Sequence, residues 1–283
     1  MHKINNVFIA GAGTMGSGIA QVVAQAGFQV TLYDLKNKFI DRGIAIIKKS
    51  LKRLVDKGKK TNEEMEEILQ RITPSTSLNT ANTADLVIEA VFEDLSVKKD
   101  LLNEFDKICK KQAILGSNTS TLPIAALAAG TKNPERIIGI HFMNPVPLMR
   151  GVEIIPGMET SEEIVVIVKD FIRSLDKEPV ESLDYAGFIS SRILDAMLNE
   201  AVKCVMEGNK PIEIDKNMKF CCNFPMGPLE LIDLVGVDIV LHGLETLHRE
   251  LGDKYQPAPL LRQMVRAGRL GRKTNKGFYE YNK

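Results

Sequence analysis

The chain has 283 residues, enough for one large domain or two ordinary ones, with 44% apolar and 26% charged residues and a net charge of +1. That balance suits a soluble globular protein and lacks the basic stripe or domain of a nucleic-acid binder. The start, Met1-His2-Lys3-Ile4, has no signal-peptide layout, and no stretch reaches the ~18 uncharged apolar residues of a membrane span; the expectation is a cytoplasmic protein with neither nucleic acid nor membrane as partner.

The first half alternates in type. Val7-Phe8-Ile9-Ala10 reads as a strand that runs into glycines, and Met15, Ile19, Val22, Val23 and Ala26 then recur at helical spacing over 14–26, with Gly27 placed to stop the helix. Residues 29–34 read as a second strand and residues 39–55 as a long basic helix, after which Thr61-Asn62-Glu63-Glu64 has the spacing of a capping box. Further strands are predicted over 86–91, 113–116, 137–141, 152–155 and 178–181, with helices between most of them. Such alternation predicts an α/β unit with a Rossmann-like, mainly parallel sheet, helices on both faces and right-handed crossovers. Near Tyr185-Ala186-Gly187 the strand signal ends, and residues 188–207 form a long amphipathic run. The predicted division is therefore 1–186 for the sheet domain and 187–283 for an all-α C-terminal domain. Cys109, Cys204, Cys221 and Cys222 show neither a Cys-x-x-Cys pair nor a metal-ligand spacing, so reduced, structural cysteines and no metal site are expected.

Gly11-Ala12-Gly13-Thr14-Met15-Gly16 fits G-x-G-x-x-G between a strand and a helix, the context that sets a pyrophosphate on a helix N-terminus. In that motif Gly11 permits the tight turn, Gly13 lets the backbone approach the phosphates, and Gly16 lets the helix pack closely on the strand. Asp34, at the end of the second strand, has the chemistry to accept hydrogen bonds from the adenosine ribose and to repel a 2′-phosphate, which favours NAD; the nearby Lys36 and Lys38 leave NADP open. The same turn without a nucleotide is the bland reading.

Later segments carry the identity of the chemistry: Ser117-Asn118-Thr119-Ser120, His141-Phe142-Met143-Asn144-Pro145, Pro225-Met226-Gly227-Pro228, and the run from Leu270 through Gly277-Phe278-Tyr279. In order, and together with the glycine turn, they closely resemble the short-chain L-3-hydroxyacyl-CoA dehydrogenases, bacterial 3-hydroxybutyryl-CoA dehydrogenases above all, over essentially the whole chain. The resemblance implies NAD-dependent interconversion of (S)-3-hydroxyacyl-CoA and 3-oxoacyl-CoA, an acyl-CoA substrate, and a homodimer or higher homo-oligomer formed through the helical domain.

It also implies site residues. His141 would be the general acid/base, oriented by Glu153, a pairing that alcohol oxidation requires because a base must take the hydroxyl proton as hydride leaves. Ser120 would hold the substrate's reacting oxygen, although a serine before Thr121-Leu122-Pro123 also suits a helix cap. Ser191 stands where the family has an asparagine that helps hold that oxygen; a serine offers one hydroxyl in place of an amide. Asn118, Glu93, Lys98 and Lys273 match cofactor-side positions. Ser50 and Lys57 match contacts to the CoA nucleotide, and Arg53 adds a cation to the same basic helix. Asn275 stands where the family usually has glycine. Two other readings keep the fold: a dehydrogenase of a CoA-free hydroxy acid or sugar acid, and a non-catalytic dinucleotide-binding protein.

Overall fold

The computed structural model describes residues 3–281, and the chain divides into two compact units, the first ending at Asp184 and the second starting at Tyr185. The strands of the first unit are β1 (Asn6–Ala10), β2 (Gln29–Tyr33), β3 (Ile72–Ser75), β4 (Leu86–Glu89), β5 (Ile114–Ser117), β6 (Ile137–Phe142), β7 (Gly151–Pro156) and β8 (Glu178–Glu181). Its helices are α1 (Thr14–Gln25), α2 (Asn37–Asp56), α3 (Asn62–Gln70), α4 (Leu95–Ile108), α5 (Ile124–Ala128) and α6 (Glu162–Ser174). The strands lie in the order β3-β2-β1-β4-β5-β6-β7-β8, and every neighbouring pair is parallel except β6 with β7. The mainly parallel sheet is as the alternation predicts.

Side-chain alternation covers both faces of β1. Val7 and Ile9 join a core with Ile19 and Val23 of α1 and Ile40, Ile47 and Leu51 of α2. Phe8 points the other way, its ring 5.5 Å from Phe105 of α4. The long basic helix, α2, buries Ile40, Gly43, Ile47 and Leu51 at three- and four-residue spacing and leaves its cations outside. The capping box forms as read: Thr61 accepts from Glu64 N at 3.2 Å and Glu64 returns a bond to Thr61 N at 2.8 Å.

One sequence expectation is corrected, and one strand is found that the sequence reading did not include. The strand expected over 86–91 stops at Glu89, so Ala90 and Val91 are free to pass across the end of β1. β3 carries no clear strand signal because Pro74 interrupts it; a proline is tolerated there because β3 is an edge strand, paired only with β2.

The second unit is helical: α7 (Ser190–Met206), α8 (Pro211–Cys221), α9 (Pro228–Val235), α10 (Val237–Leu251) and α11 (Pro259–Arg266). Leu198, Val202, Leu229, Ile232, Leu244 and Leu261 pack together in its core. Two buried carboxylates tie the C-terminal segment to this core using neutral donors. Asp215 accepts from Leu229 N (2.8 Å), Glu230 N (3.0 Å) and the Tyr279 hydroxyl (2.7 Å). Asp233 accepts from Phe278 N and Tyr279 N, both at 2.9 Å, and from the Tyr281 hydroxyl at 3.0 Å. Asn275 takes φ +58, the left-handed conformation a glycine would adopt there and asparagine tolerates, so the turn is kept. A structural role fits Cys109, which is buried and whose thiol burial pushes up to about 11; Cys221 and Cys222, at the end of α8, are instead exposed.

Asp195 on α7 is buried, and Gly243 of α10 is what makes room for it, since a Cβ there would fall 2.4 Å from Asp195 Oδ2. Burial pushes the Asp195 carboxyl up to about 7. An acid whose pKa is raised by folding stabilises the fold while protonated, and that contribution is lost as pH rises from the ordinary carboxylate range through 7. Asp195→Asn is therefore expected to raise stability at pH 8 by on the order of 4 kcal/mol and to change little near pH 4, measured by urea denaturation at both values.

Candidate active site

The strand order reverses direction between β1 and β4, and in open α/β sheets such a switch point opens a crevice beyond the carboxyl ends of the strands. The glycine turn lies there. Gly11 has φ +102, and a Cβ on it would come 2.6 Å from the carbonyl oxygen of Ala90. A Cβ on Gly16 would lie 1.8 Å from the carbonyl oxygen of Gly11, so neither position has room for a side chain. Around a Cβ on Gly13, by contrast, nothing lies within 4 Å. Helix α1 starts at Thr14 and Met15 with no capping side chain and no acid in its first turn, which leaves its N–H groups to meet an anion. Asp34 follows β2 and braces the turn: its Oδ2 accepts from Ala12 N at 2.9 Å and its Oδ1 from Leu35 N at 2.7 Å. The exposed Lys36 immediately precedes α2, and the Lys38 ammonium sits over the Phe39 ring. An open approach at Gly13, an uncapped helix end and a half-buried carboxylate at the next strand end together fit the pyrophosphate and ribose of a dinucleotide.

His141 and Glu153 are directly opposed across the antiparallel β6–β7 pair. Ile138, Ile140 and Phe142 point into the core beside α1 and α6, so Gly139 and His141 face the other side of the sheet, where Ile124 of α5 lies against Gly139. His141 Nδ1 and Glu153 Oε2 are 2.9 Å apart, and both residues are buried. The connecting loop is held by Lys177, whose ammonium donates to the carbonyls of Val146 (2.7 Å) and Met149 (2.6 Å), and Val146 packs on Gly18 of α1. Helix α1 and the His–Glu strands are thereby fixed to each other.

Asn118 and Ser120 sit just beyond β5. Asn118 Oδ1 accepts from Phe142 N at 2.9 Å, which ties this turn to the strand carrying His141. Glu93 Oε1 accepts from Ser120 N at 2.9 Å and from the Thr119 hydroxyl. Burial by itself would push the Glu93 carboxyl up; the Lys98 charge, the Thr119 hydroxyl and Ser120 N outweigh it and hold the group below its usual range. Lys98 is almost wholly buried, with its ammonium between Glu89 (2.8 Å) and Glu93 (3.2 Å). The Ser120 hydroxyl does not cap α5; that helix begins at Ile124, and Asp184 takes the N–H groups of Ile124 and Ala125 at 2.7 and 2.8 Å.

Ser50, Arg53 and Lys57 share one face of α2 and its C-terminus, with Arg53 and Lys57 exposed. Lys52 is paired with Asp56, and Lys60 with Glu64, whereas Arg53 and Lys57 form no ion pair among the described residues. Gly43 lets α2 approach the glycine turn, since a Cβ there would lie 2.8 Å from the Ala12 carbonyl. Ser191, in the first turn of α7, and Lys273, which pairs with Asp238, belong to the second unit. The sequence reading missed Glu89, Lys177 and Asp184. Only Glu89 left a trace: an acid ending an otherwise apolar strand, Leu-Val-Ile-Glu.

Comparison with known proteins agrees with this geometry. Residues 6–185 match the NAD binding domain of 3-hydroxyacyl-CoA dehydrogenase, and residues 187–281 match its C-terminal domain. A probable 3-hydroxybutyryl-CoA dehydrogenase of Deinococcus radiodurans is 51% identical, with 96% of this chain and 99% of that protein covered. One from Bacillus subtilis is 48% identical over 99% of this chain and 98% of its own length. The crystal structure of (S)-3-hydroxybutyryl-CoA dehydrogenase from Ralstonia eutropha superposes with a TM-score of 0.93 at 43% identity, over 99% of this chain and all of that one. With both domains matched in order and a dinucleotide crevice beside a buried His–Glu pair, this chain belongs to the 3-hydroxyacyl-CoA dehydrogenase family.

Proposed function

We propose that the protein is an NAD-dependent dehydrogenase that interconverts (S)-3-hydroxybutyryl-CoA and acetoacetyl-CoA. The observation that carries the chemistry is the buried contact between His141 Nδ1 and Glu153 Oε2; the substrate follows from the full-length relatives, two probable 3-hydroxybutyryl-CoA dehydrogenases and the (S)-3-hydroxybutyryl-CoA dehydrogenase of Ralstonia eutropha. NAD, when bound, supplies the hydride acceptor, and its reduced form the donor. With the Glu153 carboxylate as acceptor, Nδ1 carries the hydrogen, so proton exchange with the substrate hydroxyl falls to Nε2. Glu153 thereby selects the tautomer, fixes the ring plane and balances the imidazolium formed when the proton is taken. Ser120 and Ser191 are the residues proposed to hold the reacting oxygen.

Gly11, Ala12, Gly13, Thr14, Met15 and Gly16 would cradle the pyrophosphate, with Asp34 on the adenosine ribose. Glu93, Lys98, Asn118 and Lys273 would act at the nicotinamide end, Lys98 through its carboxylate partners. Ser50, Arg53 and Lys57 would take the phosphates of CoA, a role supported by two exposed cations left without an acidic partner among the described residues. Self-association through the helical unit is supported by its exposed Ile193, Met206, Ile212, Phe220 and Ile239. A cytoplasmic setting is supported by four free cysteines, two of them exposed; among the described residues no helix is long and apolar enough to cross a membrane.

His141→Gln is expected to lower kcat for acetoacetyl-CoA reduction by at least about 1,000-fold while NADH still quenches or shifts its fluorescence on binding. Glu153→Gln keeps the shape but not the charge and is expected to cost about 100-fold in kcat; wild-type turnover in either variant would overturn the assignment. The Arg53→Ala, Lys57→Ala double variant is expected to raise KM for acetoacetyl-CoA about tenfold with kcat retained. An unchanged KM would remove Arg53 and Lys57 from the CoA site.

A further inference from the structure

We infer that Glu89, Lys98 and Glu93 act as one charge-balanced set that positions the turn carrying Ser120, the Lys98 ammonium keeping the buried Glu89 charge from displacing Glu93; the inference rests on the catalytic reading of that turn given above. Glu89 is fully buried at the end of β4, and both of its carboxylate oxygens accept from the Lys98 ammonium, at 3.0 and 2.8 Å. Lys98 holds Glu93 in turn, at 3.2 Å, and Glu93 Oε1 collects the backbone N–H groups of Ser120 (2.9 Å) and Thr121 (3.3 Å) together with the Thr119 hydroxyl. Glu89 reaches the same turn by a second route. It accepts from the Ser117 hydroxyl, and Thr119 N donates to Ser117 Oγ at 3.3 Å. Asn118, between these anchors, takes Phe142 N and so passes the placement on to the His141 strand.

The charges explain why the ammonium is needed as long as Glu89 is charged. One ammonium serves two carboxylates. Without it, Glu89 and Glu93 would share a poorly hydrated site as like charges, which two neighbouring carboxylates resist. Glu89 has nowhere to go, whereas the Glu93 side chain retains 26% of its exposure and would be the one to leave, releasing the N–H groups of Ser120 and Thr121. If Glu89 is neutralised as well, the repulsion disappears and the N–H and hydroxyl donors suffice to keep Glu93 in place. Lys98 thus protects the turn chiefly from Glu89.

The test compares Lys98→Met, Glu89→Gln and the double variant with the wild type in the full-length protein. Lys98→Met is expected to lower kcat for acetoacetyl-CoA by about 100-fold with KM within about twofold, and to speed amide hydrogen exchange at Ser120 and Thr121. Adding Glu89→Gln is expected to restore kcat at least about tenfold over Lys98→Met and to slow that exchange again, a non-additive pattern that simple loss of packing would not produce. If Lys98→Met does not fold, the comparison is between Glu89→Gln and the double variant, which should agree within about tenfold. A double variant no better than Lys98→Met, or exchange at Ser120 and Thr121 unmoved in every variant, overturns the inference. Absence of acetoacetyl-CoA turnover in the wild type overturns the proposed function instead, and the exchange measurement still decides the positioning role.

Discussion

The register between β6 and β7 is the constraint on which the site depends. Antiparallel pairing sets His141 against Glu153 with both side chains on one face. A slip of one residue would send one of the two into the core side, where Ile140, Phe142 and Ile154 now sit. Those apolar neighbours therefore specify the geometry of the pair as firmly as the polar contact does, because a one-residue slip would bury charge among them. The loop between the strands is free to follow, and Lys177 satisfies two of its carbonyls from the direction of β8.

Polar groups cluster where the sheet leaves the core. Glu89 ends β4, Ser117 ends β5 and His141 lies one residue before the end of β6, all toward the carboxyl edge to which the glycine turn also belongs. Parallel strands run continuously apolar because both of their faces are covered, so chemistry is confined to their ends. The charges placed there are buried or half-buried, and paired: Glu89 with Lys98, the half-buried Glu93 with Lys98 and backbone donors, Glu153 with His141. An unpaired charge in any of these positions would be costly enough to reorganise the site, which is why the partners act as a set.

The helical unit solves a similar problem with neutral donors. Asp215 and Asp233 are each satisfied by peptide N–H groups and tyrosine hydroxyls, and Gly277 leaves the space that Asp233 occupies. The Gly277-Phe278-Tyr279 portion of the C-terminal segment is therefore a clasp. It holds the loop from which Lys273 projects, so part of what looks like a binding signature in the sequence is structural.

Local pattern by itself determined the strand–helix alternation, the glycine turn with Asp34, the capping box at Thr61 and the change to helix after Tyr185, because each depends on residues within one or two elements of one another. Resemblance across the ordered segments pointed to His141, Glu153 and Ser120. Tertiary structure decided the rest. β3 became a strand because it lies at a sheet edge that tolerates Pro74, and Ser120 was relieved of capping because Asp184, 60 residues from Ile124, takes that task. Lys98, which in sequence only matches a cofactor-side position, is buried because Glu89 and Glu93 converge on it from the end of β4 and the turn beyond. Such roles are invisible along the chain for one physical reason: a buried charge is stable only beside its partners, and in this fold the partners meet at strand ends that pairing brings together.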